Sequence, residues 1–354
     1  MQSEGALIRE LFPGPIDIVG DLHGEIGALR DLLGHLGYEA GGIHPMGRRL
    51  VFIGDLTDRG PDSPALIHFV SGLVAQGLAQ CVLGNHELNL LRGEPKEGNG
   101  WFFEDNHDHR RGKFLDSRAI AAECRAGVTE FLSGLPLALE RNDLRLVHAA
   151  WHGMSIDAIR SSTASVLELY QKHHARAIGL GKDTGLAARE ADEKEEWEEG
   201  LSDADVSVPM LPAVAALDAL YQDANPVRIV TSGLERIAET PFFASGKWRM
   251  VNRSRWWDDY HDNIPVIVGH YWRWPTGSSR DALSKGEPDL FDGLEPQHWL
   301  GAKRNVFCVD FAVGARYKER ADGADQFECR LGAVRWPERV LVFDDGRTFE
   351  MAER

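Results

Sequence analysis

Cysteine is scarce: Cys81, Cys124, Cys308 and Cys329 are the only four among 354 residues, and no two stand in a Cys-x-x-Cys pair. Thiolate zinc sites and thiol-exchange chemistry are thereby left out, and reduced, mostly buried thiols are expected. Basic charge is in deficit, with 39 Lys and Arg against 55 Asp and Glu and a formal net charge of −16. Such a field repels a long polyanion unless a local basic groove overcomes it, which weighs against a duplex-DNA binder. Long apolar runs are also missing, and the amino-terminal "MQSEGALIRELFPGP" has neither a basic leader nor a secretory apolar core. A cytoplasmic location without membrane association is the expectation. The Gly-x-x-x-x-Gly-Lys-Ser/Thr order that cradles phosphates does not occur, "GLGKDTG" at residues 179–185 being as near as the chain comes, so no nucleotide kinase module is expected.

What is present is a globular composition, 43% hydrophobic, and an ordered succession of patterns. "IDIVG", "RRLVFIG" and "QCVLGNHE" are short, β-branched and interrupted by glycine, while Leu29, Leu32, Leu33 and Leu36 follow helical spacing between the first two. A β-α-β-α-β order predicts a parallel sheet with right-handed crossovers. Residues 95–116 are too polar and glycine-rich for a core element and read as a loop over the surface or over the site. Helix is expected again around 117–133. Strands are expected at "LPLALE", "LRLVHAA", "VRIVTSG", "IPVIVGH", "NVFCVDF", "RLGAVRW" and "ERVLVFDD". Residues 154–224 read as a mostly helical cap or insertion in a single domain spanning 1–354, and the acidic "READEKEEWEEG" within them as a solvated helix face or mobile loop.

Chemistry gathers at strand ends. "GDLHGE" brings Asp21 and His23, "GDLTDRG" brings Asp55, Asp58 and Arg59, and "GNHE" brings Asn85, His86 and Glu87; His148 and His270 end later strands in the same way. The carboxyl ends of parallel strands share one edge, where ligands bind in such folds. Carboxylates, imidazoles and an amide oxygen form a mixed oxygen and nitrogen ligand set, with Mn the first expectation and Fe, Zn, Ni or Co the alternatives. Two ions are expected. Asp21 and His23 would hold one, Asn85, His148 and His270 the other, and Asp55 would bridge them, a centre able to activate water for in-line attack on phosphorus. Arg59 reads as the phosphate clamp. His86 reads as the general acid and Asp58 as the carboxylate that orients it. His107, His109 and His152 read as loop or rim residues.

Together "GDLHG", "GDLTDRG", "GNHE", "VHA" and "GHYW" resemble the calcineurin-like metallophosphoesterases of the phosphoprotein phosphatase branch. Residues 16–93 look closest to the phosphatase domain of bacterial polynucleotide kinase-phosphatase and to bacterial diadenosine tetraphosphatases. The resemblance implies an α/β fold, specifically a four-layer α/β/β/α sandwich with a helical insertion. It implies hydrolysis of a phosphomonoester or nucleotide polyphosphate at a two-metal centre, and carries the ligand, clamp and acid roles onto the residues above. It also marks Asp310, in "VDFAVG", as a residue near the substrate. Where relatives have a short glycine-bearing motif, "VHAAWHG" places Trp151, and "GHYWRWP" could bring Trp272 or Arg273 toward the substrate. The stretch "GKWRMVNRSRWWDDY", residues 246–260, reads either as a base-stacking, phosphate-binding surface with Arg253 as second phosphate contact, or as a packed amphipathic edge. The partner expected is a small phosphorylated substrate or nucleotide, with no oligomeric state indicated. A protein Ser/Thr phosphatase shares the same motifs and is the rival enzyme. A non-catalytic metal-binding docking module is the rival of another class.

Overall fold

The computed structural model describes residues 6–244, 246–275 and 289–352. The chain begins β1 (Ile8–Glu10), β2 (Ile16–Val19), α1 (Ile26–Leu36), β3 (Arg49–Phe52), α2 (Ser63–Ala75), β4 (Ala79–Cys81) and α3 (Asn85–Leu91). A single turn α4 (His107–Arg110), then α5 (Arg125–Ser133), β5 (Ala138–Arg141) and β6 (Leu144–Val147) follow. α1 buries Ala28, Leu29, Leu32, Leu33 and Leu36 along one stripe and stops at Gly37, whose φ of 86° is left-handed. α2 starts where the Asp62 carboxylate accepts from the Ala65 amide at 3.0 Å, just ahead of Pro64 in the first turn.

After the middle of the chain come β9 (Val266–Val268), β10 (Val306–Cys308), α11 (Arg316–Ala321), β11 (Gly332–Trp336), β12 (Val340–Phe343) and β13 (Thr348–Glu350). Two sheets result. One is six-stranded in the order β13-β12-β11-β2-β3-β4, the other five-stranded in the order β1-β5-β6-β9-β10. Ile16, Ile18, Val51 and Ile53 of the first meet Leu139, Leu146, Ile267 and Phe307 of the second in one buried cluster. Each such side chain contributes about 1.5–3 kcal/mol by leaving water, so the two sheets are locked face to face. With α1 against β12 and α2 against β4, the mixed α/β sandwich is the one expected. β2, β3 and β4 run parallel, as do β6, β9 and β10, so each sheet brings a row of carboxyl ends to one edge.

The chain divides into two compact units, the first comprising Met1–Ala149, Trp257–Gly277 and Gly293–Arg354, the second Ala150–Trp256 with Ser278–Asp292. The second carries α6 (Gly153–Arg160), α7 (Val166–Asp183), α8 (Leu186–Glu196), α9 (Pro212–Asp223), α10 (Pro226–Ser232) and the hairpin β7 (Glu235–Ala244)–β8 (Lys247–Arg253). Val208, Leu211, Val214, Ala215, Met250 and Val251 form its small core. Residues 154–224 are mostly helical, and the acidic run begins on α8, which buries no residue, and continues into the turn after it.

One expected strand is a helix. "VRIVTSG" forms α10: the Asn225 side chain caps the Val227 amide at 3.1 Å, Pro226 opens the first turn, and Thr231 Oγ1 donates back to the Val227 carbonyl at 2.8 Å. Val227, Ile229 and Val230 are all buried, so packing overrides the strand preference of β-branched residues. The helix expected over 117–133 starts later, with a 3-10 turn at Ala122–Cys124 leading into α5. No helix among the described residues is long and apolar enough to cross a membrane.

Candidate metal centre and acid pair

All the polar strand ends lie in the first unit, and the two rows of carboxyl ends deliver them together. Asp21 follows β2, Asp55 follows β3, Asn85 follows β4, His148 follows β6 and His270 follows β9. Two groups of potential ligand atoms form, His23 with Asp55 and His86, and Asp55 with His148 and His270, the atoms in each within 4.8 Å of one another. Asp55 belongs to both. Its Oδ1 lies 3.3 Å from His148 Nε2, and its Oδ2 lies 3.8 Å from His23 Nε2 and 3.9 Å from His86 Nε2. Asn85 Oδ1 sits in the second group, 3.2 Å from His148 Nε2 and 2.9 Å from His270 Nδ1. Asp21 accepts the His270 amide with both oxygens at 3.2 and 3.0 Å, and His86 joins His23 and Asp55 in the first group.

The backbone here is strained. His23, Asp55, Asp58, Arg59 and His270 have φ of 43°, 48°, 77°, 68° and 69°, left-handed values that non-glycine residues avoid. Each costs of order 1–3 kcal/mol and persists only where surroundings over-determine it. Glu87 is one such determinant. Its carboxylate accepts the amides of Asp55 (2.9 Å), Leu56 (2.8 Å), Thr57 (3.2 Å) and Gly84 (3.1 Å) together with the Thr57 hydroxyl (3.2 Å). Close approach is the other: a Cβ on Gly314 would lie 2.2 Å from His23 Cδ2, so the bare backbone there forms the wall of the imidazole. Neither Glu87 nor Gly314 carries an expected role. Glu87 stood inside "GNHE" as a signal that spacing alone does not interpret; Gly314, 291 positions after His23, offered none.

The donor set fits divalent cations. His23 Nδ1 donates to the Thr57 carbonyl at 2.9 Å and His148 Nδ1 to that of Ile53 at 2.8 Å, which leaves both Nε2 atoms turned to the centre. Burial, followed by Arg59 and His86, holds His23 well below the usual imidazole range, so its Nε2 keeps a lone pair, here accepting from Arg59, that a metal could take. Burial would raise the Asp55 carboxyl, but His148, His86 and His23 together hold it well below the carboxylate range. Burial opposes protonation of His148, yet Asp55 and then Asp21 lift it to about 10. A pocket this negative draws a proton onto an imidazole, and a dication held by these residues would answer the same demand.

Beside the centre, Asp58 Oδ2 accepts from His86 Nδ1 at 2.6 Å. Arg59 donates to His86 Nε2 at 3.0 Å and to His23 Nε2 at 3.1 Å, with its guanidinium carbon 5.0 Å over the Trp272 ring. Trp272 is therefore near the expected clamp. Arg273 is not: it is fully buried, donating to the carbonyls of Glu295 and His298, and burial lowers it to about 10. Asp310 accepts the Trp272 and Ala312 amides at 2.9 Å each. His107, His109 and His152 bond locally to Lys96, Phe114 and Ser155. Arg253 lies on β8 of the second unit, opposite Glu235. Of the tryptophans in residues 246–260, Trp256 and Trp257 are buried, and half-buried Trp248 donates its indole N–H to the Asp203 carbonyl at 2.9 Å.

Comparison with known proteins agrees with this geometry. The calcineurin-like phosphoesterase family model matches residues 14–192. A bis(5'-nucleosyl)-tetraphosphatase PrpE of Geobacillus thermodenitrificans is 50% identical over 80 residues, 22% of this chain and 33% of that protein. Its counterpart in Bacillus subtilis is 44% identical over 85 residues, covering 22% and 35%. The chain thus spans about a third of the length of these relatives. Among solved structures, a variant of a cold-active protein tyrosine phosphatase superposes with a TM-score of 0.50 at 14% identity, covering 97% of this chain and 82% of that one, a likeness of fold. Motif order, strand-end geometry and the match over residues 14–192 lead to one conclusion: this chain belongs to the calcineurin-like phosphoesterase family.

Proposed function

We propose that this chain hydrolyses a nucleotide polyphosphate or a small phosphomonoester with a centre of two divalent ions, Mn being the first choice. The observation that carries the reading is Asp55, one carboxylate shared by both groups of ligand atoms. Asp21 and His23 would hold one ion, Asn85, His148 and His270 the other, and Asp55 both. Bound there, the ions would supply an activated water and polarise the phosphoryl group.

The remaining work falls to side chains. Arg59, stacked on Trp272 and fixed between two imidazoles, would clamp phosphate oxygens through parallel N–H groups. His86 has Nδ1 committed to Asp58 and Nε2 accepting from Arg59; with the guanidinium turned to the phosphate and a proton taken up on Nε2, that proton would go to the leaving oxygen. Asp310 would act from behind, by holding the Trp272 backbone. The net charge of −16 supports a small substrate over a long polyanion, and the tetraphosphatase relatives support a nucleotide. A panel of Mn-loaded protein with dinucleoside tetraphosphate, a 3′-phosphorylated oligonucleotide and a phosphopeptide tests this. The tetraphosphate should lead in kcat/KM by about tenfold or more, a difference of ~1.4 kcal/mol in transition-state stabilisation. A phosphopeptide in first place would replace the reading with a protein phosphatase.

A further inference from the structure

The polar loop after α3 ends up on the acid pair. Gly98 carbonyl oxygen accepts the Arg59 amide at 3.0 Å, and the indole Nε1 of Trp101 donates to Asp58 Oδ1 at 2.7 Å. Trp101 is only 1% exposed. Its loop is built rather than draped: the buried Asp108 carboxylate accepts the amides of Gly98 and Gly100 at 3.0 and 2.7 Å, and the Ile120 amide donates to the Trp101 carbonyl at 2.9 Å. Asp58 is thus gripped at three points, since its own amide donates to Ser63 Oγ at 2.9 Å and its other oxygen, Oδ2, holds His86 Nδ1 at 2.6 Å.

The division of labour between the two oxygens carries the argument. A carboxylate turns easily about its terminal torsion, so either oxygen of a lone Asp58 could face His86. With Oδ1 tied to an indole N–H that has no other use, the plane of the carboxylate is set and Oδ2 alone faces the imidazole. Asp58 also has a left-handed backbone, φ 77°, which local preference does not maintain. We infer that Trp101 is a positioning residue for leaving-group protonation, acting through Asp58 to hold the His86 ring in the orientation that aims Nε2 at the leaving oxygen. This rests on the reading of His86 as general acid.

Protonation matters to an alkoxide leaving group and hardly at all to a nitrophenolate. Trp101→Phe keeps an aromatic ring and removes the donor. With metal content verified by elemental analysis, it should lower kcat on an alkyl phosphate about tenfold and on p-nitrophenyl phosphate less than about threefold, with KM nearly unchanged, a fraction of what acid catalysis is worth. Phe102→Leu, which removes the ring packed 5.5 Å from Trp101 but keeps the indole N–H, should leave the ratio of the two rates as it was. In an Asp58→Asn background Trp101→Phe should cause no further selective loss, because residues that act through one contact are non-additive. Should Trp101→Phe fold poorly, 3-benzothienylalanine at this position offers the indole shape with sulfur in place of N–H and is read by the same ratio. Equal losses on both substrates, or full additivity with Asp58→Asn, would overturn the inference. His86→Ala, run alongside, separates the two ideas: a selective His86→Ala beside an unselective Trp101→Phe removes only the role of Trp101, whereas an unselective His86→Ala removes the general acid and this inference with it.

Discussion

Gly314→Ala is a small change aimed at one proposed ligand, His23. Gly314 lies in a 3-10 turn, Val313–Ala315, without a left-handed φ, so alanine suits its backbone and the effect is steric. The new methyl would stand 2.2 Å from His23 Cδ2 and 2.7 Å from Cγ, where ordinary contact begins at 3.4 Å. The imidazole must retreat by roughly 1.2 Å, the difference between 3.4 and 2.2 Å, or the turn must open. Metal–ligand distances tolerate about 0.2 Å. The His23 ion should therefore weaken by about a hundredfold, ~2.8 kcal/mol, the upper end of what is usual for disturbing a ligand's support. The group of Asp55, His148 and His270 does not contact Gly314 in this way and should keep its ion. Isothermal titration with Mn, with elemental analysis after dialysis, should show one tight site instead of two, and turnover should fall in step. Gly34→Ala, in α1 with nothing within 4 Å of the new Cβ, is the control and should bind two ions. Two tight sites and full activity in Gly314→Ala would refute the claim that His23 is a ligand held by this wall.

Asp55→Asn should reduce bound metal from about two equivalents to one or fewer and abolish turnover, since a neutral amide cannot serve both groups; elemental analysis and a phosphatase assay check it, and two retained ions in an active protein would contradict a shared carboxylate. Asn225→Ala should destabilise the second unit by about 1 kcal/mol through loss of the α10 cap, read as a lower urea midpoint by tryptophan fluorescence, with metal stoichiometry unchanged; an unchanged midpoint would mean that Pro226 and burial suffice to start the helix.

Much of this protein is written locally. A short β-branched run followed by glycine and a polar pair says strand, turn and exposed functional group within six or seven residues, and three such segments separated by helical patterns imply parallel neighbours. Asp21, Asp55, Asn85, His148 and His270 could therefore be placed at strand ends from sequence, where parallel strands present ligands; that these ends belong to two sheets was not legible there. Even the misread "VRIVTSG" had its signal in the preceding Asn225-Pro226, a helix cap and first turn that composition outweighed. Tertiary structure alone decided the rest. The indole of Trp101 meets Asp58 across 43 positions, Glu87 binds the loop of Asp55 across 32, and Gly314 walls His23 from the far end of the chain. That His86 joins His23 and Asp55 in one group of ligand atoms was likewise decided only by the packing. Each of these depends on how two packed sheets and one polar loop bring distant backbone and side chains within 3 Å, and no periodicity or spacing along the chain encodes a distance of that kind.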